Sequence, residues 1–210
     1  MVFGKVSAMA KKVLIIGATG SLGRVVAPYL LEYSDDELTL FSRRANSLPL
    51  DDPIRERAIA GDVYDAQALD AAVKGQDVVF VALTGNLADM AREIVASMDR
   101  QGVRRLIFIT SMGILNEIPA WGAAGNVENA PILQDYRNAL DVVEASDLNY
   151  TVIRPGWYDN GPVDYEVTAE GEPFGGHDVS RRSIADLVMR LIADDNLYSR
   201  GNIGINTPNS

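Results

Sequence analysis

The run VLIIGATGSLGRVV, residues 13–26, constrains this chain more than any other feature. Val13 to Gly17 is a short apolar run of the kind that forms a fully buried strand. Gly17, Gly20 and Gly23 follow at the spacing G-x-x-G-x-x-G, and Leu22, Val25, Val26, Tyr29 and Leu30 then fall on one helical face. Strand, glycine turn and helix in that order predict a phosphate site for a dinucleotide. Gly17 permits the tight turn, Gly20 lets the backbone approach a pyrophosphate, and Gly23 lets the helix pack against the strand. The opening helix offers free N–H groups and a partial positive charge. Thr19, Ser21 and Leu22 complete the expected cradle.

The bulk properties narrow the rest. A chain of 210 residues is long enough for one α/β domain with a proper core. It has no cysteine, so it carries no disulfide framework, thiolate metal site or cysteine nucleophile, which suits a cytoplasmic protein. A formal charge of −10 argues against nucleic acid or an anionic membrane surface as the main partner. No apolar run approaches the roughly 20 residues of a membrane span. Residues 1–10 lack room for an apolar signal core and read as an N-terminal extension. The expected partner is a small-molecule substrate, and the expected assembly a monomer or small homo-oligomer.

Strand-like runs at 12–17, 37–42, 57–61, 77–83, 104–110, 149–154 and 202–206 alternate with helical stripes. Such stripes include Leu87, Met90, Ile94, Val95 and Met98, then Ile132, Leu133, Tyr136, Leu140 and Val143, then Ile184, Leu187, Val188, Leu191 and Ile192. This alternation predicts a single Rossmann-type domain over 11–210, a doubly wound parallel sheet covered on both faces. Two stretches rich in Gly, Pro and Asn, 112–130 and 155–180, interrupt the rhythm. Ligands in such sheets bind beyond the carboxyl ends of the strands, so both stretches are candidate substrate walls.

The end of the second strand bears on the choice of dinucleotide. A carboxylate there would hold a ribose 2′-hydroxyl and select NAD. This chain instead reads Phe41-Ser42-Arg43-Arg44. A guanidinium suits a 2′-phosphate through charge-assisted, bidentate hydrogen bonds. The expected cofactor is therefore NADP rather than NAD, against the alternative that Arg43 and Arg44 are solvated surface charges. Asp62 and Val63 end the third strand, where Asp62 is either an acceptor for the adenine amino group or a turn and capping residue. Ala82, Leu83 and Thr84 end the fourth, small enough to let the adenosine half lie across the sheet edge.

With these pieces in hand the chain resembles the short-chain dehydrogenase/reductase superfamily, in its atypical NAD(P)H-binding branch. The similar segments are GATGSLG (17–23), FSRR (41–44), AGDVYDAQALDAAVKGQDVVFVALTG (60–85), IFITSMGI (107–114), LNYTVIRPGWY (148–158) and VSRRSIADLV (179–188), in order along nearly the whole chain. Several pieces are similar to the biliverdin reductase B-like flavin reductases, and the same pieces recur across the branch, which includes NmrA-like members. The resemblance implies a sheet order of 3-2-1-4-5-6-7. It implies a nicotinamide near Thr110, Ser111, Pro155 and Gly156, with the Arg154-Pro155-Gly156 turn along the carboxamide.

Most members of this superfamily use a serine with a Tyr-x-x-x-Lys pair, in which lysine lowers the tyrosine pKa. This chain has lysine only at 5, 11, 12 and 74. The best-placed tyrosine, Tyr136, is followed four residues on by Leu140. A phenol with a pKa near 10 is a poor base at neutral pH. Tyr136 also falls on its helix's apolar stripe, so it is read both as packing and as a site residue. Ser111 is either a hydrogen-bond donor to substrate or the cap of the next turn. The lone histidine, His177, lacks a paired nucleophile and is assigned no role, and no metal site is expected. Trp121, Trp157 and Tyr158 are aromatics able to stack on a flat acceptor or to anchor loops.

Three functions remain in order of expectation. The first is an NADPH-dependent reductase of a flat conjugated acceptor (flavin, quinone or tetrapyrrole), which tolerates loss of the tyrosine–lysine pair. The second is a non-enzymatic sensor or regulator that binds NAD(P). The third, placed low, is a sugar-nucleotide epimerase or dehydratase, because the chain lacks the required base.

Overall fold

The computed structural model describes residues 9–210. Most of the extension expected over 1–10 lies outside the described residues, and Met9 and Ala10 are exposed ahead of the first strand.

Strands and helices alternate from there. They are β1 (Lys12–Ile16), α1 (Gly23–Tyr33), β2 (Glu37–Ser42), β3 (Glu56–Ala60), α2 (Ala66–Val73), β4 (Val78–Val81), α3 (Leu87–Gln101), β5 (Arg105–Ile109) and α4 (Gln134–Glu144). The second half adds β6 (Asn149–Pro155), three short strands β7 (Trp157–Asp159), β8 (Glu166–Thr168) and β9 (Asp178–Ser180), then α5 (Arg181–Ala193) and β10 (Gly201–Asn206). The main sheet runs β3-β2-β1-β4-β5-β6-β10-β8. Its first seven strands are parallel neighbours. They reproduce the expected order 3-2-1-4-5-6-7, with β10 as the seventh.

Two features depart from the sequence reading. An eighth strand, β8, pairs antiparallel with β10 at the sheet edge, with Ile205 opposite Val167. β7 and β9 form a separate parallel pair, Trp157 opposite Asp178. All three lie in the stretch 155–180 expected as loop. Each is three residues long, too short for alternation to register in sequence. Their pairing is set by segments far away in the chain.

The core has two halves because side chains alternate across a strand. In β1, Val13 and Ile15 face one cluster, shared with α1 and α5. Leu14 and Ile16 face the other, shared with α2, α3 and α4. Helix ends are closed locally. Asp65 caps α2 by accepting from the N–H groups of Gln67 and Ala68. Gly102 ends α3 in the left-handed conformation at φ 70°. Ser180 caps α5 by accepting from Ser183 N–H at 3.0 Å.

One buried ion pair organises the second half. Arg154 on β6 is fully buried and donates to Glu117 at 2.5 Å and to Asn202 at 2.8 Å. Glu117 also accepts from the N–H groups of Gly113 and Leu115, at 3.0 and 2.8 Å. The carboxylate thus holds the segment after β5 onto the sheet. The Arg154 side chain therefore points into the protein.

Removing one partner of this pair strands a buried charge. Glu117→Gln is expected to cost about 3–5 kcal/mol in urea unfolding, while a joint Glu117→Leu, Arg154→Met change restores much of that loss. Between α2 and α3, Arg100 and Ser97 donate to Asp70 and hold its carboxyl down to about 2. Its folded pKa lies below its unfolded value, so its stabilisation is present above about pH 4 and is lost as pH falls through about 2. The unfolding midpoints of wild type and Asp70→Asn should differ at pH 7 and converge near pH 2.

Candidate functional site

The glycine turn sets the geometry of the site. Gly17 N–H donates to the Phe41 carbonyl at 3.0 Å, tying the turn to the end of β2. Gly17 sits at φ 95°, a conformation that strains any residue with a Cβ. A Cβ there would lie 2.1 Å from the Ala82 carbonyl oxygen. At Gly23 a Cβ would lie 2.5 Å from the Gly17 carbonyl oxygen, so α1 closes directly onto the turn. Both glycines are required by close approach of backbone to backbone.

Beyond the carboxyl ends of the strands lies a cleft of about 850 Å³, within the range of small-molecule and cofactor sites. Gly17, Thr19, Gly20, Ser21 and Leu22 line it at the glycine turn. Arg43 and Arg44 line it after β2, Asp62 and Val63 after β3, and Ala82, Leu83 and Thr84 after β4. Thr110 and Ser111 line it after β5, Pro155 and Gly156 at the end of β6, and Tyr136 from α4. Of the residues expected at the site, Gly23, packed behind the turn, and the buried Arg154 do not line the cleft.

The cleft also has walls that sequence reasoning did not assign. Phe41, Ser42, Gly61 and Tyr64 stand at the β2–β3 end, and Asn86 and Met90 come from the start of α3. Their signal was position alone, immediately after strand ends. Trp157 and Tyr158 line the β5–β6 end beside Tyr136, with Trp157 74% exposed. The side chain of Trp121 lies outside the described residues.

No residue of 112–130 lines this cleft among the described residues. That stretch was expected as a substrate wall. Its place is taken inward: Glu117 pairs with Arg154, Met112 and Ile118 cluster with Phe174, and Asn126 bonds both backbone groups of Ile118.

Two helix N-termini face the cleft, and they differ. At α3, Asp135 accepts from Leu87 N–H at 2.5 Å and from Ala88 N–H at 3.4 Å. A carboxylate from α4 thus already satisfies that positive end. At α1 there is no side-chain cap and no acidic residue in the first turn. The Arg24 and Val25 N–H groups bond the carbonyls of Gly20 and Leu22, and the partial positive charge of the helix end is left for an external anion.

The polar side chains divide by what they already bond. Asp62 lines the cleft and braces its own turn, Oδ1 accepting from Tyr64 N–H at 3.1 Å, while Asp65 is the cap of α2. Thr110 is buried and donates to the Ile153 carbonyl at 3.2 Å. Ser111 is half-buried and donates to the Met112 carbonyl at 3.0 Å. Ser42 Oγ is buried with no hydrogen-bond partner among the described residues. Arg43 and Arg44 are exposed, and among the described residues neither guanidinium has a carboxylate partner.

Tyr136 packs on the α3–α4 core and also lines the cleft. Burial, then the neighbouring Asp135, pushes its phenol above the ordinary range. Burial also pushes the Tyr158 phenol up strongly, with Tyr136 adding and Arg181 opposing. Both phenols therefore stay protonated at neutral pH. His177 bonds Asp178 at 2.7 Å, outside the cleft. Among the described residues no acidic, histidine or cysteine cluster could hold a metal, and no helix is long and apolar enough to cross a membrane.

A family model described as NAD(P)H-binding matches residues 17–195. A curated protein of Bacillus subtilis named as an uncharacterized sugar epimerase is 25% identical over 201 residues, covering 90% of this chain and 91% of its own. A Rossmann-fold NAD(P)-binding family protein from Shigella flexneri is 37% identical, covers 95% of both chains and superposes with a TM-score of 0.81. A short-chain dehydrogenase/reductase from Veillonella parvula, solved in complex with NADP, is 30% identical with a TM-score of 0.87. It covers 95% of this chain and 96% of its own.

Gly17→Ala should destabilise the fold by about 2 kcal/mol or more, the order of enforced backbone strain, and weaken dinucleotide binding in a fluorescence titration. Asp135→Ala should cost about 1 kcal/mol by uncapping α3, read as a lowered unfolding midpoint.

Proposed function

The chain belongs to the NAD(P)H-binding family, and on that premise we propose that it is an NADPH-dependent reductase of a flat conjugated acceptor: a flavin, quinone or tetrapyrrole. The observation that carries this reading is the composition of the β5–β6 end of the cleft. It has three aromatic walls, Tyr136, Trp157 and Tyr158, and among the described residues no lysine. When bound, NADPH supplies a hydride.

The residues fit that cofactor. The uncapped α1 N-terminus and the glycine turn suit a pyrophosphate. Arg43 and Arg44 have no carboxylate to satisfy and suit a 2′-phosphate. Ser42 Oγ, buried without a partner, suits an oxygen acceptor at the same end. The NADP-bound relative from Veillonella parvula supports the same preference. In this reading the protein is cytoplasmic and works as a monomer or small homo-oligomer.

The chain's own part in the reaction is orientation and exclusion of water. Trp157 and Tyr158 offer faces on which a flat acceptor stacks. Ser111 is the candidate donor to an acceptor carbonyl, by turning its hydroxyl from Met112. Tyr136 stays protonated and so serves as a wall or donor, never as a base. A conjugated acceptor spreads the negative charge it gains, so its proton can come from solvent. A ketone or a sugar carbon cannot do this, and each needs a positioned acid or base. That argues against carrying over the epimerase name of the Bacillus subtilis relative.

NADPH oxidation should be measured against FMN, riboflavin, a benzoquinone, biliverdin and a simple ketone, with NADH in parallel. Turnover of flat acceptors but not the ketone is expected. Tight NADPH binding with no turnover on any of them would overturn the reductase reading in favour of a sensor. The pair Arg43→Ala, Arg44→Ala should weaken NADPH by roughly tenfold or more and leave NADH nearly unchanged; equal weakening would remove the 2′-phosphate role. Tyr136→Phe should leave the pH–rate profile without a lost inflection between pH 6 and about 9.

A further inference from the structure

A second cavity, of about 320 Å³, lies on the other side of α1, between that helix and the start of α5. Arg24, Arg181 and Arg182 line it, with Tyr29, Asn160 and a single carboxylate, Glu32. In a chain with a formal charge of −10, three guanidinium groups around one small cavity are a local reversal of charge.

The arginines are not consumed by ion pairs. Arg24 donates through Nε to the Thr19 carbonyl at 3.0 Å. Arg181 donates through one terminal nitrogen to the Asp159 carbonyl and to Asn160 Oδ1, both at 3.0 Å. Arg182 stacks over the Tyr29 ring at 5.6 Å. None of the three has a carboxylate partner among the described residues. Asp186, the buried acid nearest in sequence, is already engaged by Tyr29, Tyr165 and Arg190.

Their placement does not serve the stability of the helices. Arg24 is the second residue of α1, and Arg181 and Arg182 are the first two of α5. Cations in a first turn oppose the helix dipole. Neither helix offsets them with an acid in that turn. Val25, Pro28 and the Tyr29 ring supply an apolar side to the cavity.

We propose that this cavity binds the phosphate or carboxylate group of a small organic anion, with Arg182 and Arg24 as its main ligands. The cavity is joined to the cofactor cleft by two contacts. Arg24 holds the carbonyl of Thr19, a cleft residue, and Arg181 lies 5.2 Å above the ring of Tyr158, another. The anion is therefore either the acidic side arm of the acceptor or a separate small molecule. The first of these sources rests on the reductase reading; the site itself does not.

The test uses the protein saturated with NADP+, so that the phosphate positions of the cleft are filled. Inorganic phosphate is titrated calorimetrically at constant ionic strength, to remove general screening. Saturable binding is expected in wild type, retained in Arg182→Lys and weakened roughly tenfold or more in Arg182→Glu. NADP+ affinity should be equal in all three proteins, since Arg182 lies outside the cleft, and this certifies the fold. No saturable binding, or binding that Arg182→Glu leaves unchanged, would overturn the proposal.

A second arm compares FMN with riboflavin as acceptors. A KM for FMN lower than that for riboflavin in wild type, with the gap closed in Arg182→Glu, assigns the anion to the acceptor's side arm. Equal KM values alongside phosphate binding assign it to a separate molecule. Absence of turnover with either flavin would count against the reductase reading and leave the calorimetric result to stand for the site.

Discussion

Everything at the site depends on how closely the backbone of the glycine turn approaches its neighbours. Gly17 sits against the carbonyl of Ala82 on one side and donates to the carbonyl of Phe41 on the other. Gly23 then brings α1 down onto the carbonyl of Gly17. These three contacts fix β1, β2, β4 and α1 relative to one another. They also bring an uncapped helix N-terminus to the carboxyl edge of the sheet. A side chain at either glycine would push the helix back and remove both the geometry and the electrostatics at once.

The second half of the chain is held by a different device. The Glu117–Arg154 pair is buried in the protein, with hydrogen bonds to Gly113, Leu115 and Asn202 completing the shells of both charges. Removing one partner of such a pair leaves an uncompensated buried charge, and here the pair ties the segment after β5 to β6. That segment folds away from the cleft. The neighbouring stretch after β6 then supplies the wall, through Pro155, Gly156, Trp157 and Tyr158.

The electrostatics of the carboxyl edge follow a consistent division. Where a helix end has no ligand to meet, the chain caps it from within, as Asp135 does for α3 and Asp65 for α2. Where the chain leaves a positive end uncapped, at α1, arginines gather as well: Arg43 and Arg44 along one side and Arg24 on the other. The missing tyrosine–lysine pair fits this division. Among the described residues no cation lowers the Tyr136 phenol, and burial with Asp135 drives it away from ionisation. The site is arranged to hold anions and flat rings more than to move protons.

Much of this was legible in the sequence alone. The glycine spacing, the β-branched strands and the helical stripes are local patterns whose periods are set by backbone geometry. They indicated a doubly wound sheet and many residues of the cleft, because strand ends in such a sheet all converge on one edge, while the strand order came from the family resemblance. What only the tertiary structure decided was set by contacts between distant segments. The pairing of β7 with β9 and of β8 with β10 involves three-residue segments with no period to read. The withdrawal of 112–130 hangs on an acid and an arginine 37 residues apart. The capping of α3 comes from an aspartate 48 residues further along the chain. Charge and hydrogen bonding act through space, so one-dimensional order shows which residues can make such contacts but not which of them meet.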